Sequence, residues 1–370
     1  MLAAILSSCG TVPVAAPIAE PPLATSSVAV TDAPHIPASP PSVDHAGVSS
    51  QPSMAPPAPS DADKAAALRA WVREQRRIYR VAAPLLINNA EFCPQHARQV
   101  LGFTAKNMYS YSDAFIDIAR SALGLGEDLQ IMDVLPGSGA EQVGLREGDV
   151  LLAVEIEPMP KGAEAEREAA ELIGSEMRGR TSLRMGIRRD GQHIRIDVPL
   201  TSTCAMAMDL GNAMEPLGFA DGQRVMITRG MLDFVQSDQE LAYVLAREMA
   251  RNETMTEGSV EMRDIIDRLH SLDASTLSGD VPDALNGAMQ SYAKDMDSDT
   301  GRLALKMLAR AGYDIADYQA FWQRLATRLA DGINTGAPAV ARPETVRLSA
   351  LDRAARGTTP GAAGELPHAQ

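Results

Sequence analysis

The segment "SDQELAYVLAREMARNE", residues 237–253, decides how this chain is read. An acidic cap runs into an apolar-periodic stretch, so the spacing predicts a helix. Leu241, Val244, Leu245 and Glu248 fall on one face, with Arg247 and Arg251 beside Glu248. Two arginines at i and i+4 repel by about 0.2–0.5 kcal/mol when exposed. When buried and uncompensated they cost several kcal/mol, so a buried pair requires carboxylates. Glu248 is the nearest candidate. The plainer reading is an amphipathic helix whose arginines are solvated.

The flanking sequence extends the pattern. Upstream stands "FADGQRVMITRGML" (219–232), and downstream "MDSDTGRLALKMLARAGYDIADYQAFWQRLA" (296–326), followed by Arg342-Pro343. Taken together, residues 205–350 closely resemble the zinc metallopeptidases that include HtpX, the CAAX prenyl proteases and their periplasmic lipoprotein relatives (peptidase family M forty-eight). In that family a T-x-G-M-L segment leads into a D-E-L-A helix carrying H-E-x-x-H, whose histidines hold zinc and whose glutamate activates water. The resemblance implies an α+β domain: a helical gluzincin-type core with a small antiparallel sheet.

Position by position, the resemblance also shows what differs. The two ligand histidines fall on Arg247 and Arg251, and the general-base glutamate is kept as Glu248. The third ligand falls on Asp297, with Asp299 a further, less certain carboxylate. The aspartate of an E-A-D triplet falls on Gly301, and the histidine of a His-Pro pair on Arg342. Guanidinium offers no lone pair to zinc at accessible pH. Without metal, water keeps a pKa near ~15.7 instead of about 7, a deficit Glu248 alone does not make up. The expectation is therefore no zinc and no hydrolysis by the family mechanism, with an arginine–carboxylate cluster cross-linking the former site.

Between 121 and 200 the pattern changes to short strands. "LQIMDVLPGSGAEQVGLREGDVLLAVEIEPM" (129–159), a helical "GAEAEREAAELIGSEM" (162–177) and "SLRMGIRRDGQHIRIDVPL" (182–200) together resemble a PDZ domain of the bacterial protease-associated type. Asp190-Gly191 is a strong hairpin turn. Such domains bind extended peptides by strand addition, with the terminal carboxylate on a glycine-containing loop. That loop is expected at Leu123-Gly124-Leu125-Gly126. A purely architectural role for the domain stays open.

The ends and cysteines suggest a compartment. "MLAAILSSCG" ends in Leu6-Ser7-Ser8-Cys9, which resembles a bacterial lipoprotein lipobox with Cys9 as the acylated residue; an ordinary unstructured start is the alternative. The apolar part is short and lacks basic residues, which suggests a start further upstream. Residues 10–60 hold 12 of the 24 prolines and few large apolar groups, so they are read as an extended linker. Cys93 and Cys204 flank the strand-rich region and are expected to pair in an oxidising compartment, or else to be two buried thiols. A net charge of −14 argues against nucleic acid as an electrostatic partner. Aromatics are only 4%, so the core must rest on aliphatic residues and methionine.

The expected layout is a signal remnant (1–9), linker (10–60), helical segment (61–120, opening on Ser60 or Asp61), PDZ-like domain (121–200), degenerate metallopeptidase domain (201–355) and tail (356–370). The function that follows is a periplasmic, membrane-anchored pseudoprotease that binds a peptide or protein C-terminus without cleaving it. A weakly active metalloendopeptidase and a structural envelope protein are the alternatives.

Overall fold

The computed structural model describes residues 2–3, 59–255, 260–270 and 298–333. The body opens with helix α1 (Asp61–Asn88), started by a reciprocal capping box: Ser60 Oγ accepts from the Asp63 N–H, and the Asp63 carboxylate accepts from the Ser60 N–H. Helix α1 buries Leu68, Trp71, Ile78, Val81 and Leu85 along one face.

Three sheets follow. The largest contains β1 (Leu2–Ala3), β3 (Phe103–Lys106), β4 (Gln130–Val134), β5 (Val150–Val154), β7 (Ser182–Arg189) and β8 (Gln192–Pro199), in that order, with β6 (Glu157–Pro158) on β5. All its pairings are antiparallel. The β7–β8 hairpin closes on two residues, Asp190 (φ 51°) and Gly191 (φ 78°), the left-handed pair a tight primed turn demands. Helix α2 (Ile116–Leu123) lies between β3 and β4, the short α3 (Gly139–Gln142) between β4 and β5, and α4 (Ala165–Glu176) between β6 and β7. Phe103, Ala105, Ile131, Leu151, Leu183, Met185 and Ile187 form one core with Ala165, Ala169 and Ile173 of α4. This is the PDZ-like unit.

Its boundary lies earlier than the sequence suggested. β3 pairs with β4 over Phe103–Lys106, so part of the expected helical segment 61–120 belongs to this sheet. The unit is entered and left through a two-stranded ribbon: β2 (Ala97–Val100) runs antiparallel to β9 (Thr201–Cys204). A Cys93–Cys204 disulfide, Cα–Cα 5.5 Å, fastens the same point.

The remaining sheet holds β10 (Ala207–Gly211), β12 (Arg224–Thr228) and β11 (Gly218–Ala220). The expected small antiparallel sheet is in fact mixed: β10 pairs with β12 in parallel, and only β11–β12 is antiparallel. Parallel pairing needs a crossover connection, and residues 212–223 supply it, carrying β11 on the way. Helices α5 (Arg229–Phe234), α6 (Asp238–Thr254), α7 (Val260–Leu269), α8 (Asp299–Arg310) and α9 (Tyr318–Ile333) complete the described chain. They share with α1 and the mixed sheet a core rich in leucine, alanine and methionine, in which Tyr243, Tyr318, Phe321 and Trp322 pack edge to face. No described helix is long and apolar enough to cross a membrane.

Candidate functional site

Helix α6 begins at Ser237, whose hydroxyl accepts from the Glu240 N–H. It runs through the body with Leu241 to Ala250 all buried. Glu248 is completely buried, and the Arg247 side chain is 3% exposed. Each carboxylate oxygen of Glu248 faces a guanidinium. Arg247 Nη1 donates to Oε1, and Arg251 Nη1 lies 3.4 Å from Oε2. The Arg247 guanidinium also stands 5.5 Å from the Trp322 ring centroid, within cation–π range. Strand β11 comes close to this cluster because Gly218 has no side chain. A Cβ there would meet Val244 Cγ1 at 3.0 Å and Glu248 Cγ at 3.2 Å.

Other expected members fall elsewhere. Asp299 opens α8, largely exposed and paired with Arg302, so it does not reach the cluster. Gly301 is buried in the first turn of α8, where its N–H donates to the capping Ser298 Oγ at 3.4 Å. Its neighbour Thr300 shares a 2.8 Å hydroxyl bond with Thr254, which ties the start of α8 to the end of α6. Asp297, Arg342 and Cys9 lie outside the described residues. A catalytic zinc needs three protein ligands. The two cationic positions cannot serve, and Glu248 is engaged by both arginines. The described residues do not fit the metal.

One latch near this site was not read from sequence. His96 Nδ1 contacts the Glu253 carboxylate, and Nε2 lies 2.6 Å from the Gly222 carbonyl. Asn252 accepts from the Gly222 N–H (2.7 Å) and donates to the Arg224 carbonyl (3.1 Å). Together they hold the β11–β12 turn on the end of α6. Hydrogen bonding to Glu253 raises the His96 pKa, against a desolvation cost. A sequence separation of 157 between His96 and Glu253 hid the pair.

The carboxylate loop also needs correction. Leu123–Gly126 precedes β4, but β4 is flanked by β3 and β5 and has no free edge. Gly124 is instead the left-handed cap of α2 (φ 70°), with its N–H bonded to the Arg120 carbonyl. Leu125 is 1% exposed in a small core with Leu68, Phe115 and Met132. On this side of the PDZ-like sheet the last strand before the two-residue β1 is β3. The link before it, Leu101-Gly102, is pinned by its carbonyls, which accept from the Ala140 and Leu135 N–H groups. Gly102 (φ 89°) is required there, since a Cβ would lie 2.2 Å from Ser138 Cβ. Against the β3 edge, beside α4, runs the extended pair Leu2–Ala3, antiparallel, in register with Ala105 and Thr104.

Fold and sites thus define an α+β protein with a disulfide-fastened PDZ-like unit and a helical body around a buried arginine–glutamate cluster. No family model matches the chain. Over 131 residues it is 28% identical to the periplasmic pH-dependent serine endoprotease DegQ of Escherichia coli K12. That match covers 34% of this chain, which spans only 26% of the relative's length. The chain is also similar to a crystal structure of the HtrA3 PDZ domain bound to a phage-derived ligand (FGRWV). There the identity is 14% and the TM-score 0.21, over 29% of this chain and 88% of that one.

Proposed function

We propose that the protein binds an extended polypeptide at the β3 edge of its PDZ-like unit and does not cleave it. The carrying observation is that this edge accepts an antiparallel strand beside α4, as Leu2–Ala3 does here. Strand addition draws affinity from main-chain hydrogen bonds and specificity from alternate side chains. The loop before β3, with its required glycine, is the natural place for a terminal carboxylate. On this reading the helical body is a metallopeptidase-like scaffold turned to support, its former metal positions filled by Arg247 and Arg251. The similarity to a periplasmic protease supports a periplasmic setting. Cys9 would supply a lipid anchor, and equal membrane fractionation of a Cys9→Ser chain would count against that anchor.

A library of peptides with free C-termini, titrated against the full chain by fluorescence polarisation, tests the main reading. Binders should lose affinity when their C-terminal carboxylate is amidated. Absence of any binder, or indifference to amidation together with retention by a chain altered at α4, would reject it.

A further inference from the structure

The sheet of the PDZ-like unit has a second face. Phe103 and Ala105 point into the core with α4, whereas Thr104 and Lys106, by strand alternation, line a cavity on the opposite side. This cavity, open on one side, measures about 310 Å³ and is lined by α1, β3, residues 110–112, β4, β10 and the end of α7. That is the lower end of the range for small-molecule sites, about 300–1,000 Å³. Its walls are mainly apolar and aromatic, with Trp71, Tyr79 and Tyr111 from two different segments and Met132 and Met208 between them.

The polar groups in it are unusual. Asp209, in the middle of β10, is 2% exposed, and its Oδ2 has no hydrogen-bond partner. Asp133 Oδ2, Tyr111 Oη and His270 Nδ1 are also without one. The cations around the cavity, by contrast, are already matched. Arg76 Nη2 is 2.6 Å from Glu147, and its Nε is 3.8 Å from Asp133. Lys106 Nζ is 3.7 Å from Glu166, and Arg224 holds both Asp221 (2.7 Å) and Asp267 (2.6 Å). Asp209 alone of the carboxylates lining the cavity is buried without an ion pair among the described residues. Burial pushes its carboxyl up to about 6, and that of Asp133 likewise to about 6.

A buried carboxylate with no partner is costly, and that cost falls when a cation with its own hydrogen-bond donors arrives. Aromatic walls suit the same ligand, because ring faces attract ammonium groups and the apolar body fills the remaining space. We propose that this cavity binds an organic cation, an amine with an apolar body, its charge at Asp209 and its body against the Trp71, Tyr79 and Tyr111 rings. Glu166, in the first turn of α4, reaches the rim of the cavity through Lys106, but the groups proposed to hold the ligand, Asp209 and the three rings, lie outside β3, so the proposal does not depend on the strand-addition reading.

The test is calorimetric titration of the full chain at neutral pH with three probes of one skeleton: phenethylamine, phenylethanol and phenylacetate. Phenethylamine should bind saturably, phenylethanol about tenfold more weakly or worse, and phenylacetate not at all; a charge-assisted hydrogen bond supports a difference of that size. Asp209→Asn, of nearly equal volume, should lower phenethylamine affinity about tenfold or more while keeping the wild-type circular dichroism. The proposal is overturned if the alcohol binds as well as the amine, if no probe binds, or if a folded Asp209→Asn protein binds phenethylamine undiminished. Should that variant fail to fold, the ranking of the three probes on the wild-type chain decides alone.

Discussion

Replacing Glu248 by glutamine keeps the side chain's shape and removes its charge from a fully buried position. Arg247, 3% exposed, and Arg251, 17% exposed, would then face an amide where each now faces a carboxylate oxygen. Removing one partner of a buried ion pair costs about 3–5 kcal/mol, most of it the desolvation of the charge left behind. For a body of this size each 1 kcal/mol moves Tm by about 2–4 °C. Glu248→Gln should therefore lower Tm by about 6–20 °C, read by scanning calorimetry or by the near-ultraviolet circular dichroism of Trp322 and the surrounding rings. The triple change Arg247→Leu, Glu248→Leu, Arg251→Leu removes the whole cluster and should cost less than the single change, since buried charge clusters can be exchanged for apolar residues at little loss. A Glu248→Gln melting curve within about 2 °C of wild type would refute the buried cross-link, because solvated pairs contribute under about 1 kcal/mol.

Three further outcomes are expected. Reducing the Cys93–Cys204 bridge, whose cysteines are 111 residues apart, should lower stability by up to about 4.7 kcal/mol, seen as a Tm drop when reductant is added. The His96 pKa is raised in the folded state, so its contribution is fully present below the ordinary value of about 6.5 and is lost as pH rises through the folded pKa. His96→Gln should be less stable than wild type at acidic pH and converge on it at alkaline pH, and a constant gap across that range would contradict the Glu253 latch. If the helical body is metallopeptidase-like as proposed, the double change Arg247→His, Arg251→His should at most bind zinc weakly, since an aspartate at 297 is one methylene shorter than the glutamate of the zinc peptidases that the sequence resembles. Stoichiometric, chelator-resistant zinc by mass spectrometry would contradict that.

What could be read from the sequence was local. The Ser60 cap, the Asp190-Gly191 hairpin and the phase of α6 each depend on residues within a few positions of one another, and each appears as expected. Glu248 and its two arginines share one helix, so their contact was readable too. The parallel β10–β12 pairing depends on a crossover whose sequence reads as a loop. β3 is only four residues long, with no charge alternation to mark it, and its partner β4 begins 24 positions after it ends. That displaced the domain boundary and put the carboxylate loop beside the wrong strand. The amine-sized cavity draws its walls from α1, β4, β10 and α7, and no window along the chain contains them together.

The disulfide at the neck of the PDZ-like unit also has a mechanical consequence. Tension applied along the chain enters at Cys93 and leaves at Cys204 through one covalent step of 5.5 Å between Cα atoms. The intervening strands and α4 lie off the path of the force. A chain of 111 residues, fully drawn out, spans about 3.3–3.6 Å per residue, close to ~40 nm. In an oxidised molecule stretched from its ends, that length stays hidden while the helical body unravels. The unit that carries the β3 strand would keep its shape under a pull that unfolds its surroundings.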